Sequence, residues 1–165
     1  MTIDTIKRIV IFIVIFLTQV LIFNNIHLFN VATPLIYVYF IIILPRDMSK
    51  WSILLWAFGM GVLVDMFTNT PGVASASMTL IAAIKPYWLE LFIARDADDK
   101  LEPSAATLKW DTFLIYSSVL VIIYCLTYYS LEAFNFYNVG YWLQCVLGTA
   151  LLTIALIASF ETIRK

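Results

Sequence analysis

The sequence predicts an all-α membrane protein: six transmembrane helices in one compact bundle, with residues 1–165 forming a single domain. Three observations carry this prediction. The chain is 62% hydrophobic and only 13% charged, whereas soluble domains are roughly half apolar and about a quarter charged. Its apolar residues gather into long runs, near the roughly 20 residues needed to cross about 30 Å of hydrocarbon, and mean hydropathy is +0.93. Finally, Lys7, Arg8, Arg46, Lys50, Arg95, Lys100, Lys109, Arg164 and Lys165 all fall on one side of the resulting map. The opposite connections, 24–33, 68–72 and 135–138, contain no Lys or Arg. By the positive-inside rule both termini are then cytoplasmic.

Span one covers residues 9–23. Lys7 and Arg8 precede it as they would a secretory signal, but N-N-I-H-L-F-N follows with no small-x-small cleavage site, so it reads as an uncleaved span. Residues 24–33 form a connection, and Pro34 opens span two, which ends near Leu44. Proline suits a first helical turn, where its missing N–H has no partner to lose. P-R-D-M-S-K is a polar turn, span three covers 51–67, T-N-T-P-G reverses the chain, and span four covers 73–93. Residues 95–111 are the longest and most charged connection, and its D-A-D-D run is a solvated acidic stretch, lacking the glycine and later glutamate of a calcium loop. Span five covers 112–134, N-F-Y-N turns the chain, and span six covers 139–160. Trp51, Trp56, Tyr87, Trp88 and Trp110 gather near the inner ends of the spans, and Tyr128, Tyr129, Phe134, Phe136, Tyr137, Tyr141 and Trp142 near the last outer turn. Such rings favour the membrane interface and read as anchors.

Two ionisable residues sit where hydrocarbon tolerates them poorly. Asp65 lies near the outer end of span three, one helical turn after Gly61; Lys85 lies deep in span four, followed by Pro86. Gly59 and Gly61 are read as letting a neighbouring backbone come close, facing the small side chains of Ala74, Ser75, Ala76 and Ser77, with Pro71-Gly72 making the reversal. Spans three and four should therefore pack as a tight hairpin. An intramembrane carboxylate is costly and usually kept for a partner or a task, so Asp65 is expected to face span four or a partner helix. For Lys85 three readings stand: it snorkels to the cytoplasmic surface, it pairs with Asp65, or it meets a partner protein. Pro86 should bias Lys85 away from helical geometry and kink the helix. Gly59, Gly61, Asp65, Pro71, Gly72, Lys85 and Pro86 form the candidate set for helix packing or partner contact.

The chemistry excluded is broad. Formal net charge is −1, which makes no electrostatic case for nucleic acid. There is no Ser/His/Asp set, no HExxH, no Walker-type loop and no carboxylate pair at matched depth, so no catalytic residue, cofactor or metal is implied. Cys125 and Cys145 lack metal or redox spacing and read as small buried hydrophobes. His27 reads as a polar residue at the membrane edge.

The chain length, the six-span layout, and G-x-G-x-x-x-D-M-F followed by P-G at the next span resemble the rod shape-determining protein MreD family. The specific part of the resemblance runs from Gly59 to Gly72 and rests on Gly59, Gly61, Asp65, Pro71 and Gly72; Lys85 and Pro86 match no pattern of the family. The resemblance implies a small, non-enzymatic protein of the bacterial inner membrane. It would act in lateral-wall elongation by binding an MreC-like protein, and through it MreB, RodA and a penicillin-binding transpeptidase. It also implies likeness in fold to the substrate-binding subunits of energy-coupling-factor transporters, which supplies the second reading: binding of a vitamin-like molecule in a polar pocket near the outer leaflet. Outer connections of about 10, 5 and 4 residues offer such a pocket little to gate it.

Overall fold

The computed structural model describes residues 3–23, 33–93, 101–133 and 138–164. Among these residues seven helices form: α1 (Ile3–Leu21), α2 (Val38–Ile43), α3 (Lys50–Thr68), α4 (Val73–Glu90), α5 (Ala105–Leu108), α6 (Trp110–Ala133) and α7 (Val139–Arg164). Among the described residues there is no strand. Three of the helices, α3, α6 and α7, are long and apolar enough to cross a membrane. Helices α1 and α4 have 19 and 18 residues, but α1 carries Asp4, Lys7 and Arg8, and α4 carries Lys85 and Glu90. His27, the acidic run 96–99 and the rings of Phe134, Phe136 and Tyr137 lie outside the described residues.

Span two is the main correction. Residues 33–35 are not helical, and Pro34 precedes the first residue of α2 by four positions rather than opening it. Helix α2 has six residues, so it rises only about 9 Å. Every residue from Leu35 to Leu44 is buried, with Tyr37, Val38, Ile41 and Ile42 at 0% exposure. An unbroken apolar run describes a segment enclosed on all sides as well as one immersed in lipid, and here it is the enclosed one. This stretch is the centre of the core.

The other helices surround it. Helix α3 packs most extensively on α4, α6 on α7 and α4 on α6, while α2 touches α1, α3, α4 and α6. Phe12 of α1, Phe40 of α2 and Trp56 of α3 meet edge to face or tilted, with ring centroids 5.3–5.9 Å apart. The outside is apolar: Val10, Val14, Leu55, Leu147 and Leu151 are all more than half exposed, a surface suited to lipid rather than water. Trp51 is 83% exposed. Tyr128, by contrast, is 8% exposed and packs on Tyr124, so it belongs to the core rather than to a belt.

Candidate functional site

Asp65 is 6% exposed and faces the start of α4. Its Oδ1 accepts from Ala74 N–H at 2.8 Å and from the Thr70 hydroxyl at 3.3 Å. Its Oδ2 accepts from Ser75 N–H at 2.9 Å and Gly72 N–H at 3.1 Å. The first amides of a helix have no partner within it and carry the positive end of its dipole. A carboxylate from the preceding helix therefore does for α4 what an N-cap side chain does, since Gly72 at the N-cap has no side chain to offer.

The hairpin geometry makes this reach possible. Helix α3 ends on Asn69 in the left-handed conformation (φ 57°) and α4 begins after Gly72 at φ +91°. Asparagine and glycine are the residues that accept such angles at least cost. At Gly61 a Cβ would lie 2.3 Å from Ser75 Cα and 2.9 Å from the Ala74 carbonyl oxygen, so only glycine allows α3 and α4 this close. Gly59 is different: a Cβ built there meets nothing within 4 Å, which corrects its assignment to the close approach. Two residues apart, the two glycines point to different sides of α3, and only one side meets α4. Gly72 likewise meets nothing within 4 Å; its requirement is the backbone angle, not space. Pro71 and Gly72 are exposed. At the far end of the hairpin Lys50 Nζ donates to Tyr87 Oη at 3.0 Å and lies 4.3 Å from that ring's centroid.

Lys85 follows none of its three expected courses. It is 1% exposed, so it does not snorkel to the surface or present itself to a partner, and its ammonium donates to the Leu44 carbonyl rather than meeting Asp65. Nor does Pro86 turn Lys85 out of helical geometry: α4 is one helix from Val73 to Glu90. Proline removes one backbone bond but leaves a helix standing when its flanks are packed, and here Ile81, Ala82 and Leu89 are buried on either side. Leu44 is the C-cap of α2, so the cation sits at the negative end of that helix dipole. The Tyr116 hydroxyl adds a longer bond to the Ile42 carbonyl at 3.4 Å.

A third buried charge does the same at another helix end. Glu161 of α7, 3% exposed, accepts from the Ala105 N–H at 2.8 Å and from the Tyr39 hydroxyl at 2.6 Å. Ala105 is the first residue of α5, whose Ser104 also closes a capping box with Thr107. Glu161, one residue past the end of span six, was not among the candidate residues read from the sequence. A lone carboxylate directly after a long apolar run was the available signal.

The non-helical backbone before α2 is held by side chains from two other helices. Gln19 of α1, fully buried, accepts from Ile36 N–H at 2.9 Å and donates to the Pro34 carbonyl at 3.0 Å. This pair of bonds is the kind a neighbouring strand would make, supplied by one side-chain amide. Thr153 Oγ1 accepts from Leu35 N–H at 3.2 Å and Thr149 Oγ1 from Thr33 N–H at 3.4 Å. The Tyr37 and Tyr124 hydroxyls bond to each other in the core. Gln19 was legible as the sole amide in span one, and Thr149 and Thr153 as hydroxyls four residues apart on one face of span six.

The described residues hold no cluster of His, Cys, Asp or Glu able to bind a metal, and both cysteines are free and buried. No family model, no curated protein and no solved structure matches the chain.

Proposed function

We propose that this chain is a non-enzymatic, six-span scaffold of a bacterial inner membrane, with both termini cytoplasmic, acting in cell elongation as members of the MreD family do. In this reading it binds an MreC-like protein and through it MreB, RodA and a penicillin-binding transpeptidase. The second crossing is made by the stretch that ends at Leu44, part of it unwound.

The observation that favours a scaffold is the fate of the buried charges. Asp65 takes four hydrogen bonds from residues 70–75, and Lys85 and Glu161 are likewise spent on backbone groups of the chain itself. A ligand site needs polar groups that converge on an open space; these converge on helix ends. One feature favours the transporter reading instead: unwound backbone inside a membrane bundle is where secondary transporters often bind their substrates. In this chain the Pro34–Ile36 backbone is already bonded by Gln19 and Thr153, which is the arrangement of a held segment.

The test is purification of the tagged chain from its host in mild detergent, followed by mass spectrometry, alongside depletion. Recovery of an MreC-like protein with wall synthases, and rods that round and swell on depletion, is the expected result. An ATPase pair in the eluate, with a growth defect cured by one vitamin and normal cell shape, overturns it in favour of the transporter subunit.

A further inference from the structure

Residues 33–44 have an unusual position for backbone that is only half helical. Thr149 and Thr153, which hold its first part, lie about 15 and 21 Å along α7, a helix of 26 residues and about 39 Å. The unwound turn thus sits near the middle of the bundle's length. Backbone N–H and C=O groups at that depth have no water to turn to, and each left unpaired is costly. The chain solves this with removable partners. Five side chains from α1, α4, α6 and α7 supply the bonds: Gln19, Thr149 and Thr153 at the first end, Lys85 and Tyr116 at the last. Between the two ends the segment meets its neighbours through apolar packing, the Tyr37–Tyr124 hydroxyl pair and the bond from the Tyr39 hydroxyl to Glu161.

We propose that residues 33–44 form a latched plug, with the Lys85–Leu44 bond as its latch, and that unlatching lets water reach the polar groups along it. A segment held this way has two satisfactory states. In one the end groups that the segment does not pair by its own backbone bonds are clamped by side chains; in the other water replaces the clamps. Partly clamped arrangements leave groups bare in an apolar interior, so the element is bistable rather than gradually loose. The Leu44 end is the latch because its partner amine meets the C-cap carbonyl of α2, a group that helix cannot satisfy by itself. It also matches the negative end of α2. Leu44 is followed immediately by the polar turn P-R-D-M-S-K, the nearest route for water to the segment.

The experiment is thiol labelling in permeabilised membranes. Cys125 and Cys145 are replaced by alanine, a single cysteine is placed by Ile36→Cys, and N-ethylmaleimide reactivity is followed with Lys85 intact or with Lys85→Met. Ile36 is 2% exposed, and thiols react as thiolates, which form only where water reaches. With Lys85 intact labelling should be slow; in Lys85→Met it should rise about tenfold or more, as loss of a bond to a charged group implies. Ala57→Cys on α3, at 0% exposure, reports on the bundle as a whole and should stay unlabelled in both backgrounds. Equal rates at Ile36→Cys with and without Lys85 overturn the proposal. So does a parallel rise at Ala57→Cys, which would mean general loosening rather than release of one segment.

Discussion

Replacing Asp65 by leucine removes the acceptor for four donors at once. Gly72 is exposed and the Thr70 hydroxyl is already within 2.7 Å of Thr68 Oγ1, so these two recover partners in water or locally. The Ala74 and Ser75 amides do not: both residues are buried, and as first-turn amides they have no intrahelical acceptor. At about 1–3 kcal/mol for each unsatisfied buried donor, Asp65→Leu should cost about 2–6 kcal/mol. Typical hydrogen bonds between membrane helices contribute only about 0.6 kcal/mol, because the separated helices find other partners. That discount does not apply to amides pinned at the buried start of α4. Asp65→Asn keeps one of the two oxygens and should cost about half as much, roughly 1–3 kcal/mol. The assay is thermal unfolding of the detergent-purified protein, where each kcal/mol shifts the midpoint by about 2–4 °C for a chain of this length. Leucine should lower the midpoint by about 5–20 °C, with asparagine in between. A leucine variant that melts within about 2 °C of the parent would refute the capping argument.

The two glycines of α3 make a matched pair for the same assay. Gly61→Ala places a Cβ 2.3 Å from Ser75 Cα and should destabilise by about 1–3 kcal/mol or more through overpacking, whereas Gly59→Ala, with open space, should stabilise by about 0.5–1 kcal/mol; the same sign for both would show that the hairpin contact is not where the structure puts it. Gly72→Ala, forced to φ +91°, should cost about 1–2 kcal/mol, read as a lower melting midpoint, and a neutral result would remove the conformational argument. Reporter fusions at Asn69 and after Lys165 should report opposite compartments, and agreement between them would refute the topology.

Much of the helical layout could be read before any coordinates. The helices expected at 51–67, 73–93, 112–134 and 139–160 correspond to Lys50–Thr68, Val73–Glu90, Trp110–Ala133 and Val139–Arg164, of which all but Val73–Glu90 are long and apolar enough to cross a membrane. Their ends are set by local chemistry: Ser49 accepting from Ser52 N–H, the Asn69 and Gly72 left-handed pair, the charged tails. Span two was not legible, because what decides it is remote. The groups that make an unwound Pro34–Ile36 tolerable are Gln19, 15 residues from Pro34, and Thr153, 118 residues from Leu35. Lys85 failed for the same reason. Its acceptor, Leu44, is 41 residues away, and no spacing rule connects a lysine in one apolar run with a carbonyl at the end of another. Gly59 failed through parity alone: nothing in G-M-G says which glycine faces the neighbour.

The three buried charges among the described residues share one rule. Asp65, negative, lies at the N-terminus of α4; Glu161, negative, at the N-terminus of α5; Lys85, positive, at the C-terminus of α2. In each case the sign is the one that the helix dipole favours, and the bond is made to a backbone group the helix cannot satisfy by itself. A buried ion and a buried helix end are each expensive in an apolar interior, and each is the cheapest remedy for the other. Helix ends buried within an apolar bundle therefore call for ionisable residues even where nothing is bound or catalysed. The converse gives a working test for this chain: an ionisable side chain at membrane depth points to a ligand or partner only when no helix end of the opposite sign lies within reach. Asp65, Lys85 and Glu161 all meet such an end, so none of the three by itself points to a ligand or a partner.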